Sequence, residues 1–160
     1  MQIEIRPIGT ILTPFESSVD IQIQAAKSDA HGEAHVLEEY IPGLESLDSF
    51  SHIVLVYWFH EAVEYKNRVK PYLDETERGI FSTRAPPRPN PIGISTVELV
   101  DIKDGRVLFK GADMLNKTPL LDIKPFVPAF DNRLDANSGW LERVSNKNTS
   151  YTSDGRFDRS

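Results

Sequence analysis

Arg84, Arg88 and Asn90 lie within an eleven-residue run, Thr83-Arg84-Ala85-Pro86-Pro87-Arg88-Pro89-Asn90-Pro91-Ile92-Gly93, that also holds four prolines. Guanidinium and amide groups at this density can grip a phosphate or a carboxylate. Proline fixes φ and turns the residue before it away from the α region. The run is therefore neither a helix nor a central strand, and Arg88 and Asn90, each preceding a proline, are extended. So stiff a loop has little ordering left to lose on binding. Apolar Ile80-Phe81 before it and the stretch from Ile92 to Leu99 after it tie it to a folded core, which a free linker would not need.

A second candidate is Asp122-Ile123-Lys124-Pro125. On an extended segment Asp122 and Lys124 share one face and Ile123 takes the other. The pair could be a local ion pair of small value. It could also flank a reacting group, with the carboxylate accepting a proton and the ammonium fixing an anion.

The four histidines do not assemble a metal site. His52 and His60 share a strand face but stand roughly 26 Å apart at about 3.3 Å per residue. His31 and His35 have helical spacing, but Gly32 between them argues against a helix. No ligand framework of a usual kind is present, and no metal is expected. No serine lies in a Gly-x-Ser-x-Gly elbow. Ser82 and Ser95 read as strand or strand-edge residues.

The elements that must carry these groups are mostly short strands. Glu4 to Leu12 is rich in β-branched residues, and Val19 to Gln24 alternates apolar and polar side chains. Gly32 to Tyr40 is a possible strand. Pro42-Gly43 breaks it, and Leu44 to Phe50 makes a helical turn. His52 to His60 is the clearest buried strand, a continuous run of Val, Ile, Tyr, Trp and Phe character. Glu61 to Gly79 reads as a charged loop and Ile80 to Thr83 as a short strand entering the proline run. Ile94 to Ile102 and Val107 to Ala112 flank Asp104-Gly105, a hairpin signal. Pro119 to Ile123 is a last short strand, ended by Pro125.

The pattern predicts a mainly β fold: a compact β-barrel of short, mostly antiparallel strands with long loops and little helix. It occupies residues 1–145. From Asn146 to Ser160 the chain is polar and is expected to be a disordered tail. No βαβ alternation and no Gly-x-Gly-x-x-Gly loop is present.

Composition bounds the chemistry. The chain has 160 residues, no cysteine and a net charge of −6. Disulfides and thiol nucleophiles are excluded, which suits a reducing cytoplasm. The start lacks a basic segment followed by an apolar run and does not read as a signal peptide. The apolar run from Ile53 to Phe59 is too short to cross a bilayer. The acidic balance argues against a general nucleic-acid coat. Yet Arg78, Arg84 and Arg88 span a stretch free of acids, so a local positive face is possible.

Several blocks, taken in order, resemble the TsaA-like (TrmO-type) family of tRNA methyltransferases. They are Pro7-Ile8-Gly9-Thr10-Ile11 through Pro14, Gly43-Leu44, Phe50-Ser51-His52, and Gly79-Ile80-Phe81-Ser82-Thr83-Arg84. Arg88-Pro89-Asn90-Pro91-Ile92-Gly93-Ile94-Ser95 and Thr118-Pro119-Leu120-Leu121-Asp122-Ile123-Lys124-Pro125-Phe126 complete the set. The resemblance implies a homodimeric, cytoplasmic β-barrel enzyme that uses S-adenosylmethionine, without metal or membrane. Its partner would be the tRNA anticodon loop, where it would methylate N6 of threonylcarbamoyladenosine.

Carried onto this chain, the resemblance puts the cofactor against Gln24, Ala25, Ala26, His60, Glu61, Arg84, Ile94, Lys110, Gly111, Ala112 and Asp113. Asp122 becomes the candidate base, with Lys124 beside it. Arg88, Asn90 and Lys124 become candidate RNA contacts. Three departures stand out. Asn116-Lys117 replaces an Asp-Gly found in many relatives, and Ile21-Gln22-Ile23-Gln24 lacks a preceding proline common there. The chain is also too short to hold the extra C-terminal domain of longer bacterial members. Two other readings are a non-catalytic barrel that binds RNA or protein, and a methyltransferase of the same fold acting on a small metabolite.

Overall fold

The computed structural model describes residues 3–19, 21, 25–72, 74–143, 152–154 and 157. Six strands close an antiparallel barrel: β1 (Gly9–Leu12), β2 (His31–Val36), β3 (His52–Trp58), β6 (Ile92–Lys103), β7 (Arg106–Lys110) and β8 (Thr118–Pro125). Their order around the barrel is β1-β2-β7-β6-β3-β8, returning to β1. A separate two-stranded ribbon, β4 (Arg68–Val69) with β5 (Arg78–Gly79), stands in the connection from β3 to β6.

Alternation sets which side chains fill the barrel. Ile53, Leu55 and Tyr57 of β3 point in, as do Val97 of β6, Val107 and Phe109 of β7, Ile11 of β1 and Leu120 of β8. All are nearly or fully buried, each worth about 1.5–3 kcal/mol of transfer free energy. The register puts Ile94, Val56 and Asp122 in one row on the outer wall, and Thr96, Val54 and Lys124 in the next.

Antiparallel closure also decides where the loops go. The connections 13–30, 59–91 and 111–117 all leave one end of the barrel. The other end has the tight Asp104-Gly105 turn and the 37–51 connection. Asp104 and Gly105 both take positive φ, 49° and 76°, as a two-residue hairpin turn requires.

The expected barrel is therefore present, with differences in single elements. The first strand begins at Gly9 rather than Glu4. The second ends at Val36, because Leu37 turns to bond Ile8 O and the chain then enters a 3-10 helix, Glu38–Leu44. Ile80 to Thr83 is a 3-10 turn, Ile80–Ser82, instead of a strand. Ser82 Oγ donates to Gly79 O over 2.8 Å and Thr83 Oγ1 to Ile80 O over 2.9 Å, a local bonding pattern that competes with sheet pairing. The expected extended segment 19–24 is described only at Val19 and Ile21, neither in a strand.

Most of the segment expected to be a disordered tail lies outside the described residues. Of the four residues described there, Ser153 and Phe157 are buried and Thr152 and Asp154 are exposed. Phe157 joins Val69, Ile80 and Ala85 in a second apolar cluster, and Ser153 N donates to Ile21 O over 2.8 Å. The few apolar residues of this polar segment suffice for that docking.

Candidate functional site

The loop-bearing end of the barrel is plugged by residues 111–114. β6 runs six residues beyond Glu98, which pairs with Lys110 at the end of β7. The chain after Lys110 therefore turns inward over the bare inner face of β6. Ala112 and Met114 are buried there, and Asp113 meets Ser95.

Ser95 Oγ donates to Asp113 Oδ1 over 2.6 Å, and Tyr57 Oη lies 3.0 Å from the same Oγ. A hydroxyl has one proton. With that proton given to a carboxylate, Tyr57 must be the donor to Ser95, so the order is Tyr57 to Ser95 to Asp113. Gly93, opposite Tyr57 in the ladder, leaves the space the ring fills: a Cβ there would stand 2.2 Å from Tyr57 Cε2. Phe59 packs edge-on against the ring at 5.3 Å.

Burial pushes the Asp113 carboxyl up to about 6, against the pull of Ser95, a backbone bond at Ala25 and the charge of Arg84. Burial, then the neighbouring Asp113, also pushes the Tyr57 phenol far up. Asp113 is thus a half-buried acid poised near neutrality, within electrostatic reach of one exposed cation, Arg84.

The 25–30 segment closes one side of this mouth. Ser28 Oγ donates to Ala112 O over 2.6 Å, and Gly111 N and Ala112 N both donate to Ala30 O. Gly111 takes φ +102°, and a Cβ there would stand 3.1 Å from Ala25 O. Only glycine allows that backbone and that approach together. Small residues thus meet at this side of the mouth: Ala25 packs against Gly111, Ala26 beside it is exposed, and Ala112 lies buried beneath.

The remaining sequence-predicted residues divide between this end of the barrel and its outer wall. Lys110 pairs with Asp29 at 2.8 Å, which raises the lysine and lowers the acid. His60 is half-buried, with Nδ1 3.5 Å from Thr118 Oγ1 and Nε2 3.9 Å from Glu61. Ile94 points outward from β6 and is 62% exposed, on the opposite side of the strand from Ser95. Asp122 and Lys124 make the anticipated ion pair at 2.6 Å on the outer wall of β8. They share that wall with Ile94 and not the inner face with Asp113. Gln24 lies outside the described residues.

In the proline loop, Arg88 is half-buried. Its Nη1 donates to Ile80 O at 3.2 Å and Thr83 O at 2.9 Å. Arg88 thus braces the turn that carries Arg84. Asn90 is exposed.

Sequence reasoning missed Ser95 and Tyr57. The available signal was a serine at an inward slot of an otherwise apolar strand face, one diagonal step from a tyrosine. Among the described residues, no group of three or more His, Asp or Glu could hold a metal ion. No described helix is long and apolar enough to cross a membrane.

The barrel mouth can do three things chemically. Its small residues admit a flat apolar group, its half-buried carboxylate accepts from hydroxyls or an ammonium, and its exposed arginine binds a carboxylate.

Comparison with known proteins shows what the chain is similar to. A model of the tRNA-methyltransferase O N-terminal domain matches residues 10–132. A Pyrococcus abyssi protein named as a probable S-adenosyl-L-methionine-binding protein is 48% identical over 153 residues, 95% of this chain and 83% of that protein. The tRNA (adenine(37)-N6)-methyltransferase of Escherichia coli is 32% identical over 146 residues, 84% of this chain and 62% of that enzyme. The crystal structure of TrmO from Pseudomonas aeruginosa superposes with a TM-score of 0.75 at 36% identity, over 88% of this chain and 63% of that one. The chain belongs to the tRNA-methyltransferase O N-terminal domain family.

Proposed function

We propose that this chain is an S-adenosylmethionine-dependent methyltransferase acting on N6 of threonylcarbamoyladenosine beside the tRNA anticodon. The observation that carries the reading is the barrel mouth, where Asp113, Arg84 and small residues meet within a family of methyltransferases. S-Adenosylmethionine supplies an activated methyl group on a sulfonium. Its parts match the groups present: Ala25 and Ala26 for a flat base, Asp113 for ribose hydroxyls or an ammonium, Arg84 for a carboxylate. Glu61 is a second acceptor at the rim.

Asp122, on the outer wall, is the residue we assign to take the N6 proton of an acceptor whose methyl donor sits in the mouth of a second copy, with Lys124 and Asn90 directed at phosphates or the threonyl carboxylate. Arg88 serves by bracing the loop, and its charge adds to the local field. Catalysis of this kind rests mainly on alignment of the acceptor with the methyl group. An anticodon loop offers unstacked bases that a protein can reach. Such a substrate places the protein in the cytoplasm.

We also assign a homodimer contact to the outer wall, where exposed Ile94 stands beside half-buried Val54, Val56 and Trp58. A second copy there would face Asp122 and Lys124. A methyltransferase acting on a small metabolite is the second reading. It is supported by the archaeal relatives, whose names give S-adenosyl-L-methionine binding and no tRNA.

The deciding experiment incubates the protein with S-adenosylmethionine and tRNA carrying threonylcarbamoyladenosine, then analyses the nucleosides by mass spectrometry. A methyl gain on that nucleoside is expected. No gain, with the cofactor bound, would exclude the tRNA substrate and leave the metabolite reading.

A further inference from the structure

Phe81 is among the more exposed apolar side chains of the protein, at 75%, although its neighbour Ile80 is fully buried. It takes no part in either apolar cluster. Its backbone is nonetheless rigidly held. The Ile80–Ser82 turn is tied by Ser82 Oγ to Gly79 O and by Thr83 to Ile80 O. Ser82 O in turn accepts from Trp140 Nε1 over 2.8 Å. Exposure here is thus built in, and the ring stands on a fixed base.

The surroundings are cationic. The Arg88 guanidinium sits 5.7 Å from the Phe81 ring centroid, its position set by the Ile80 and Thr83 carbonyls. Arg78 lies 5.1 Å over the Trp140 ring and is held by Asp74, and Arg84 is exposed three residues on. The nearby acids are already engaged, Asp74 with Arg78 and Glu77 with Arg68. A flat ring bare to solvent among arginines suits a nucleobase with its phosphates: the base stacks, the arginines meet the backbone. A second copy fits less well. A two-fold contact would set one arginine group against its own image.

We infer that Phe81 is a stacking platform for one unpaired base of an RNA substrate, placed beside the proline loop and steered by Arg84 and Arg88. The inference rests on the tRNA reading above and names a contact for it. It gives this acidic protein a positive, aromatic landing point on the loop that carries the candidate cofactor arginine. The exposed ring costs nothing in folding and gains its apolar partner only on binding.

The test measures binding of an anticodon stem–loop RNA carrying threonylcarbamoyladenosine by fluorescence anisotropy, and of S-adenosylmethionine by calorimetry, for wild type, Phe81→Ala, Phe81→Leu and Phe81→Tyr. Ala and Leu should each weaken RNA binding about tenfold or more, the loss of one base–aromatic stack. Tyr should bind like wild type. Cofactor affinity and melting temperature should stay unchanged in all three. Equal RNA affinity in wild type and Phe81→Ala would overturn the platform alone. Leu binding as well as Phe would show an apolar contact without stacking and overturn it too. Dissociation of a dimer by Phe81→Ala, seen in sedimentation, would assign the ring to a second copy instead. If wild type binds the cofactor but no RNA, the tRNA reading falls, and the platform with it.

Discussion

Ser95, inside a barrel strand, donates its hydroxyl to Asp113, which lies just past the end of the next strand, over 2.6 Å. This bond exists because β6 overshoots β7, so that the chain leaving β7 folds back across the bare stretch. It converts a barrel-wall serine into the support of an acid at the mouth.

Removing that support should be felt in both folding and binding. Ser95→Ala leaves the Tyr57 hydroxyl and the Asp113 carboxylate each short of a partner in a buried setting. Denaturant unfolding should show a loss of about 1–3 kcal/mol. Calorimetry should show weaker cofactor binding, and Ser95→Thr should recover part of it if the methyl is accommodated. An unchanged affinity in Ser95→Ala would show that Asp113 is held by other contacts.

The raised Asp113 acidity gives a pH signature. The folded protein holds this proton up to about pH 6, whereas an unfolded chain releases it near 3.8. The contribution to stability is full below 3.8 and is lost as pH rises through 6. After allowance for partial exposure it is on the order of 1–2 kcal/mol. Asp113→Asn should remove that slope from a melting-temperature series between pH 4 and pH 7. Binding should run the other way. Affinity for S-adenosylmethionine should drop below about pH 6 in wild type and stay flat in Asp113→Asn.

Arg84 is exposed. Arg84→Ala should therefore change stability by less than about 0.5 kcal/mol. It should weaken cofactor binding about tenfold or more, the value of a charge-assisted bond. A matching loss of melting temperature with intact affinity would make this arginine structural.

Asp122→Asn keeps the acceptor that caps Ile123 N at 2.9 Å and gives up only an exposed ion pair with Lys124, worth about 0–1 kcal/mol. Turnover should fall about 10²–10⁴-fold while cofactor affinity holds. Unchanged turnover would remove Asp122 as the base.

Much of this was legible in the sequence where one physical constraint dominates. The apolar run at β3, the Asp104-Gly105 turn and the prolines from Pro86 to Pro91 each leave few conformations open. The strand reading of Ile80 to Thr83 went wrong because Ser82 and Thr83 bond backward to the chain, a local competition that β-propensity does not register. The face of Asp122 was readable from alternation, and its pairing with Lys124 followed. That Ile94 and Asp122 share the outer wall, with Asp113 and Ser95 inside, depended on register between strands far apart in the chain. No pattern within one segment contains that. The overshoot of β6 past Lys110 was hidden for the same reason, and with it the partner of Asp113.

The most direct test is a calorimetric titration of S-adenosylmethionine into wild type and Asp113→Asn at pH 7.5. Saturable binding at one site per chain in wild type, weakened at least about tenfold in the variant, is predicted. No heat of binding in wild type, or equal binding in both, would contradict a cofactor seat at the barrel mouth.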